Sequence, residues 1–419
     1  MNKQNQKTGT QSQSLCELIS DEERAAIRAP IENAQTLPRR AFIDTGFFQY
    51  EKKHILQRSW FAVAFSSELA APGDCVPLEV LGYPILLMRG SDSQLRAFHN
   101  VCPYDGCEVL ITPKKGLAYL TTPYHGWQYG LDGTLCAAGY WDGTEAAASL
   151  DLRALGADLH PVPCTEWFGT VFVSLEGEAQ AFDSANRAVM EFCSRVDIDR
   201  LRVGRDENNH PQISEFRIDA NWKTVYENYA VNVYHEHFVH AMYHKSPHVP
   251  RVDAGGNKTY TEVNDPSGLL GIHYDNSIGA SFYGDSGLPP IRLRDGSAND
   301  RNCIINVFPN WAVTVIHNCA RIALFLPHEV GRGAQRLATF FDVDAAGRAS
   351  LLEERKRSEQ QGIRARKEDN AICESIQRAR RSPAVSAQFY SPFWDNMHYT
   401  LSNLVLSRLE EGERRASND

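Results

Sequence analysis

No stretch of this 419-residue chain reaches the roughly 18 consecutive apolar residues that a membrane-spanning helix needs. Positive charge is also in short supply. Lys and Arg number 43 against 52 Asp and Glu, giving a formal net charge of −9, which argues against general nucleic-acid binding through a cationic face. Cysteine is scattered (16, 75, 102, 107, 136, 164, 193, 303, 319 and 373), without the density of a secreted disulfide scaffold. Reduced thiols and a cytoplasmic location are expected. Met1 to Ser14 has neither an apolar core nor a small-residue cleavage site, so it reads as a mobile tail and not a signal peptide. Internal repeats are absent. What is present is a 42% hydrophobic, 10% aromatic composition, which indicates a globular protein with a substantial core, in a chain long enough for two domains or one large domain with an insertion.

Punctuation and periodicity divide the chain. Residues 1–20 are expected to be a disordered tail. Ser20-Asp21-Glu22-Glu23 then supplies capping residues, and 21–60 reads as a mixed helical segment. From 61 to 178 short apolar runs alternate with turns. Val76–Val80, Ile85–Met88, Leu117–Leu120 and Thr170–Val173 are strand-sized, and Gly73-Asp74, Gly90-Ser91, Asp132-Gly133 and Asp142-Gly143 mark turns. This predicts a small antiparallel β domain. In 179–419, Trp222 to about Met242 has helical spacing. Strand-like runs follow at Lys258–Val263, Cys303–Phe308, Ala312–His317, Arg321–Leu326 and Arg336–Phe341. Long helical patterns cover about Ala346–Arg380 and Pro392–Glu411. The expected class is α+β, with an antiparallel sheet packed on long helices.

Histidines crowd the stretch after Trp222. His235 and His240 have the makings of an open iron site, which two imidazoles and one carboxylate commonly hold on one face. They lie five residues apart, so a regular helix would turn them about 140° from each other at about 100° per residue. Convergence needs a π-type bulge or a break, and such bulges are frequent at functional sites. His240 and His244 are a competing pair at one-turn spacing, with His237 and His248 nearby. Spacing alone does not choose among them.

Asn221-Trp222-Lys223, Glu227-Asn228 and Asn232-Val233-Tyr234-His235 with His240 resemble the catalytic-helix motif of Rieske non-haem iron oxygenase α subunits. Upstream, Cys102-Pro103-Tyr104-Asp105-Gly106 and Thr122-Pro123-Tyr124-His125-Gly126-Trp127 resemble the two halves of the family's cluster motif. The resemblance runs from roughly Phe42 to Gln377. It implies a Rieske-like β domain followed by a helix-grip type catalytic domain. It also implies a late carboxylate ligand, which it places at Asp369 in Glu368-Asp369-Asn370-Ala371-Ile372-Cys373-Glu374-Ser375-Ile376-Gln377. Asn228 matches a position beside the iron. Asn232 matches one usually held by Asp or Glu, which bridges a cluster histidine of one subunit to an iron histidine of its neighbour.

The chain departs from that pattern where the cluster should be bound. A Rieske [2Fe–2S] centre takes two thiolates and two imidazoles. Cys102 and His125 occupy ligand positions, but Tyr104 stands for a histidine and Thr122 for a cysteine. The cluster is therefore expected to be absent from its usual position; Cys107 and Cys136 are thiols able to join Cys102 and His125 around another metal such as zinc, and buried free thiols are the plainer reading of them. An amide at Asn232 accompanies the change, since no cluster remains to couple. The expected function is an oxygenase component with one iron(II) at His235, His240 and Asp369. It would hydroxylate or demethylate a small organic substrate with dioxygen and take electrons from a reductase or a cluster-bearing Rieske subunit in a trimer-based homo- or hetero-oligomer. The alternative is a non-catalytic α-like subunit that structures or regulates such an assembly; a metal hydrolase lacks a further general-base motif. Tyr226, Tyr234, Phe238, Tyr243, Phe282, Tyr283 and Trp311 are candidates to line an apolar or cation-binding pocket.

Overall fold

The computed structural model describes residues 14–143, 156–177, 180–244, 246–283 and 286–416. Its largest element is an eight-stranded antiparallel sheet. In order it runs β11 (Leu201–Val203), β18 (Arg332–Asp342), β17 (Ala320–Glu329), β16 (Trp311–Val315), β15 (Arg301–Val307), β14 (Leu269–Asp275) and β13 (Thr261–Asp265), and β12 (Ile213–Ile218) also pairs with β18. Side chains alternate across a strand with period two, and that alternation sorts this sheet's residues into two cores. Ala312, Ala323, Phe325 and Leu337 join one core with Trp222, Val225, Tyr226 and Cys373. Their sequence neighbours Val313, Ile322, Leu324 and Ala338 join the other with Phe65, Phe168 and Phe172.

The second core is closed by a three-stranded sheet, β1 (Phe61–Phe65), β10 (Thr170–Val173) and β9 (Cys164–Trp167). Asn310 clamps it to the large sheet: its Oδ1 accepts from the Ala62 amide at 3.0 Å and its Nδ2 donates to the Ala62 carbonyl at 2.8 Å. Arg336 adds a bidentate pair with Glu68 at 2.7 and 3.0 Å. Two smaller antiparallel sheets, β2–β3–β4–β8 (Cys75–Val80, Tyr83–Arg89, Leu95–His99, Pro161–Val162) and β5–β6–β7 (Leu120–Thr121, Gln128–Tyr129, Leu135–Ala137), share a third core that includes Cys102 and Trp127.

On the first face lie the helix Leu352–Ala379 and the last helix, Asn396–Ala416. Several expectations need correction here. The tail expected over 1–20 is ordered at its end: Leu15–Leu18 forms a helical turn, with Leu15, Leu18 and Ile19 buried and the Leu15 amide donating to Glu413 at 2.8 Å. Three closely spaced apolar side chains gain more from burial than a short segment loses in ordering. Residues 1–13 of that tail lie outside the described residues. The strand expected at Leu117–Leu120 shrinks to Leu120–Thr121. The segment with helical spacing from Trp222 to about Met242 forms five short pieces, one of them a π turn.

A buried charge cluster ties the last helix to this broken segment. Glu227 lies 3.3 Å from both Arg380 and His398. Burial would raise the Glu227 carboxyl, but His398 and Arg380 outweigh it and hold it at about 2. Burial would lower the His398 imidazole, but Glu227 outweighs that and raises it. The signs give opposite windows: the Glu227 contribution is lost as pH falls from its unfolded value toward 2, and the His398 contribution is lost as pH rises above its own unfolded value. Thermal unfolding should therefore show greatest stability from this pair between about pH 4.5 and 6.5. His398→Gln should flatten the alkaline limb of that profile; an unchanged limb would sink the assignment.

Candidate metal centre

The segment carrying the histidines starts as ordinary helix. Asn221 caps Trp222–Tyr226, its Oδ1 accepting from the Lys223 amide at 3.0 Å. Lys223 is wholly buried and pairs with the equally buried Glu51 at 2.7 Å, which anchors the turn in the core. The backbone then widens into a π turn at Glu227–Val231 and leaves helical geometry at Asn232 (φ −99°, ψ 84°). A 3₁₀ turn covers Val233–His235, a single α turn covers Glu236–Val239, and His240 is extended (φ −95°, ψ 106°). These breaks supply the rotation that a five-residue spacing requires. The His235 and His240 rings lie 5.3 Å apart between centroids.

Asp369 comes from the long helix and is 3% exposed. Its Oδ1 sits 3.3 Å from Nε2 of both His235 and His240. Among the described residues this is the one group of three or more His, Cys, Asp or Glu whose ligand atoms all lie within 4.8 Å of one another. The competing histidines fall away: His244 is exposed, and His237 and His248 are half-buried outside the group. Each of the three side chains is held from behind. The Nδ1 of His235 meets the backbone carbonyl of Asn232, and that of His240 meets Glu368 Oε2 at 2.9 Å. Asp369 Oδ2 accepts from Arg366 at 2.6 Å, and Oδ1 accepts from the Asn228 amide at 3.3 Å. Asn228 in turn accepts from the Cys373 thiol at 3.3 Å.

Burial alone would raise the Asp369 carboxyl, but Arg366 and the two imidazoles beside it hold it below the usual range. Burial would lower His235, but Asp369 reverses the direction and raises it. The Nε2 atom of His235 is buried and faces Asp369 Oδ1 at 3.3 Å without a well-formed hydrogen bond. Arg366 and Glu368 escaped sequence reading, because Lys367-Glu368-Asp369 resembles any charged helix face.

A cavity of about 90 Å³ adjoins the triad, with Tyr229, Met242, Tyr243, Ile304, Leu337 and Arg366 in its wall. Of the aromatic residues proposed as lining, Tyr243 is there. Tyr226 is buried with its hydroxyl on the Gly268 carbonyl at 3.1 Å, and Trp311 packs between Phe172 and Trp167. Tyr234 and Phe238 are exposed, the former stacked on Trp394. The side chains of Phe282 and Tyr283 lie outside the described residues. Tyr229 was missed; its ring carries the Arg366 guanidinium 4.6 Å from its centroid.

The upstream motif folds into two facing loops. Gly106 (φ +73°) turns the first loop, its amide donating to the Cys102 carbonyl at 2.9 Å. Tyr104 stacks on Trp127 at 4.7 Å and 8°. The Thr122 hydroxyl is buried and accepts from the Trp127 amide at 3.0 Å. Cys102 Sγ lies 3.6 Å from the Tyr129 hydroxyl, whereas His125 Nδ1 is 2.5 Å from Asp105 Oδ2. Burial and Asp105 push the Cys107 thiol up to about 11. Cys136 is exposed, with Sγ 3.6 Å from the Thr134 carbonyl. Asp105, not singled out in the sequence, is the polar partner of the His125 imidazole.

Comparison with known proteins agrees with this architecture. Residues 198–411 match the ring hydroxylating alpha subunit (catalytic domain) model, and residues 59–142 match the Rieske [2Fe-2S] domain. The carnitine monooxygenase oxygenase subunit of Escherichia coli (strain K12) is 31% identical, over 68% of this chain and 74% of that protein. The glycine betaine monooxygenase oxygenase subunit of Pseudomonas aeruginosa (strain UCBPP-PA14) is 30% identical over 47% of this chain and 43% of that protein. A crystal structure of a quaternary ammonium Rieske monooxygenase bound to gamma-butyrobetaine has the same fold, with a TM-score of 0.70 at 22% identity over 92% of this chain and 98% of that one. The two sequence motifs, the antiparallel architecture and these matches lead to one conclusion: the chain belongs to the Rieske non-haem iron oxygenase α subunits, a family of mono- and dioxygenases.

Proposed function

We propose that His235, His240 and Asp369 hold one iron(II) in this oxygenase, and that no [2Fe–2S] cluster occupies the usual Rieske position. The observation that carries the first half is the convergence of three candidate ligand atoms from two separate elements, with Nε2 of both histidines 3.3 Å from Asp369 Oδ1. A donor set of two imidazoles and a carboxylate fits open-coordination iron(II), which when bound supplies the activation of dioxygen. The chain's own groups do the positioning. The Asn232 carbonyl and Glu368 set the ring orientations, and Arg366 occupies the outer oxygen of Asp369. Asn228 steadies the inner one.

The donor set upstream does not fit an iron–sulfur cluster. A phenol stacked on Trp127 and a hydroxyl engaged by the Trp127 amide stand where an imidazole and a thiolate are needed. Electrons therefore come from a partner, a reductase or a cluster-bearing Rieske subunit. Asn232, neutral where the family's bridging carboxylate stands, accords with that loss. The substrate is a small organic molecule that is hydroxylated or demethylated. A small N-methylated compound of the kind named for the relatives is the substrate class that the sequence likeness favours.

Protein purified without oxygen should contain about one iron per chain and no acid-labile sulfide; sulfide near two per chain would overturn the second half of the proposal. His235→Ala should abolish iron binding while Cys102→Ala leaves it nearly unchanged, as read by metal analysis; equal loss in both would refute the division. Arg366→Leu leaves Asp369 buried without its guanidinium, so urea unfolding of the metal-free protein should register a loss of about 3–5 kcal/mol.

A further inference from the structure

The two histidines of the triad are supported differently. His235 rests its Nδ1 on a neutral backbone carbonyl three residues back, a partner built into its own turn. His240 is extended at the end of its turn, where the local backbone holds its amide on the Glu236 carbonyl at 3.3 Å but leaves its ring to be held from elsewhere. The ring is spanned by two consecutive residues of the long helix. Asp369 Oδ1 faces Nε2 at 3.3 Å, and Glu368 Oε2 faces Nδ1 at 2.9 Å on the opposite edge. His240 is 5% exposed, while the Glu368 side chain keeps a quarter of its surface in solvent. A surface charge would be expected to swing free unless something held it. Here it reaches inward to a buried imidazole.

We infer that Glu368 is a positioning residue for the metal centre: it accepts the Nδ1–H of His240 and so directs the Nε2 lone pair at the site Asp369 completes. This rests on the triad being a metal site, as proposed above. A ligating histidine whose second nitrogen donates to a carboxylate is fixed in tautomer and ring orientation, and loss of that partner typically weakens metal affinity 10–100-fold. One helix thereby delivers a ligand and the support of a second ligand from adjacent positions, so the spacing between Asp369 and His240 is set by the rigidity of a single element. Glu368 meets Nδ1 of His240 and not the Nε2 that faces Asp369, so it acts through His240.

The test uses the full-length chain, with Co(II) as a spectroscopic probe and Fe(II) under anaerobic conditions as the check. Metal affinity is measured by chelator competition for the wild type, Glu368→Ala and Glu368→Gln, together with the Co(II) visible spectrum and the thermal unfolding of each metal-free protein. Glu368→Ala should weaken affinity roughly 10–100-fold and alter the Co(II) ligand-field bands, with little change in metal-free unfolding because the residue is partly exposed. Glu368→Gln keeps an acceptor oxygen and should recover affinity to within about threefold of the wild type, with wild-type bands. Wild-type affinity and spectrum in Glu368→Ala would overturn the inference while leaving the triad standing. A wild-type chain that takes up neither metal would overturn the metal site itself, and the inference with it.

Discussion

A carboxylate buried to 3% exposure on a long helix is the constraint around which this region is organised. Asp369 cannot stay ionised in that environment without compensation, because desolvating a lone carboxylate is costly. Four groups face it: Arg366 at Oδ2, and His235, His240 and Asn228 at Oδ1. Arg366 lies one helical turn before Asp369 and comes with the helix. The other three come from the broken segment after Trp222, which must be held in register with the helix for the charge to be satisfied. The buried Lys223–Glu51 pair at the start of that segment and the Glu227–Arg380–His398 cluster in its middle do that holding.

The large sheet makes such precision possible. It is covered on both faces, by helices on one and by β1–β10–β9 on the other, so its strands can shift little without opening one of two packed cores. The wall of the small cavity takes Ile304 and Leu337 from this sheet, and its opposite wall comes from the long helix and the histidine segment. The smaller β sheets carry the two loops of the upstream motif, with Gly106 turning the first and Tyr104 and Thr122 both engaged with Trp127.

Legibility in the sequence followed the range of the interactions. Strands such as Cys303–Phe308 and Arg321–Leu326 fall within β15 and β17 or overrun them by a residue, because alternation and turn residues are local signals. His235 and His240 carried a legible contradiction, a spacing incompatible with a straight helix, and the π turn and the break at Asn232 resolve it. Aromatic lining was poorly legible. Tyr226 and Trp311 are core, Tyr234 and Phe238 face solvent, and Tyr229, overlooked, lies beneath Arg366. An aromatic side chain packs equally well in either role, and only its neighbours decide which.

By itself the sequence determined the class of fold, the family, and the residue types available at each motif, Tyr104 and Thr122 in the upstream one included, because these depend on local pattern and chemical identity. Tertiary structure alone decided that Asp369 meets two histidines more than 120 positions away in the chain, that His244 does not, and that Glu368 turns inward to His240. Those outcomes depend on where a helix crosses a broken segment. That crossing is set by the packing of both against one face of a sheet, and no window of sequence contains it.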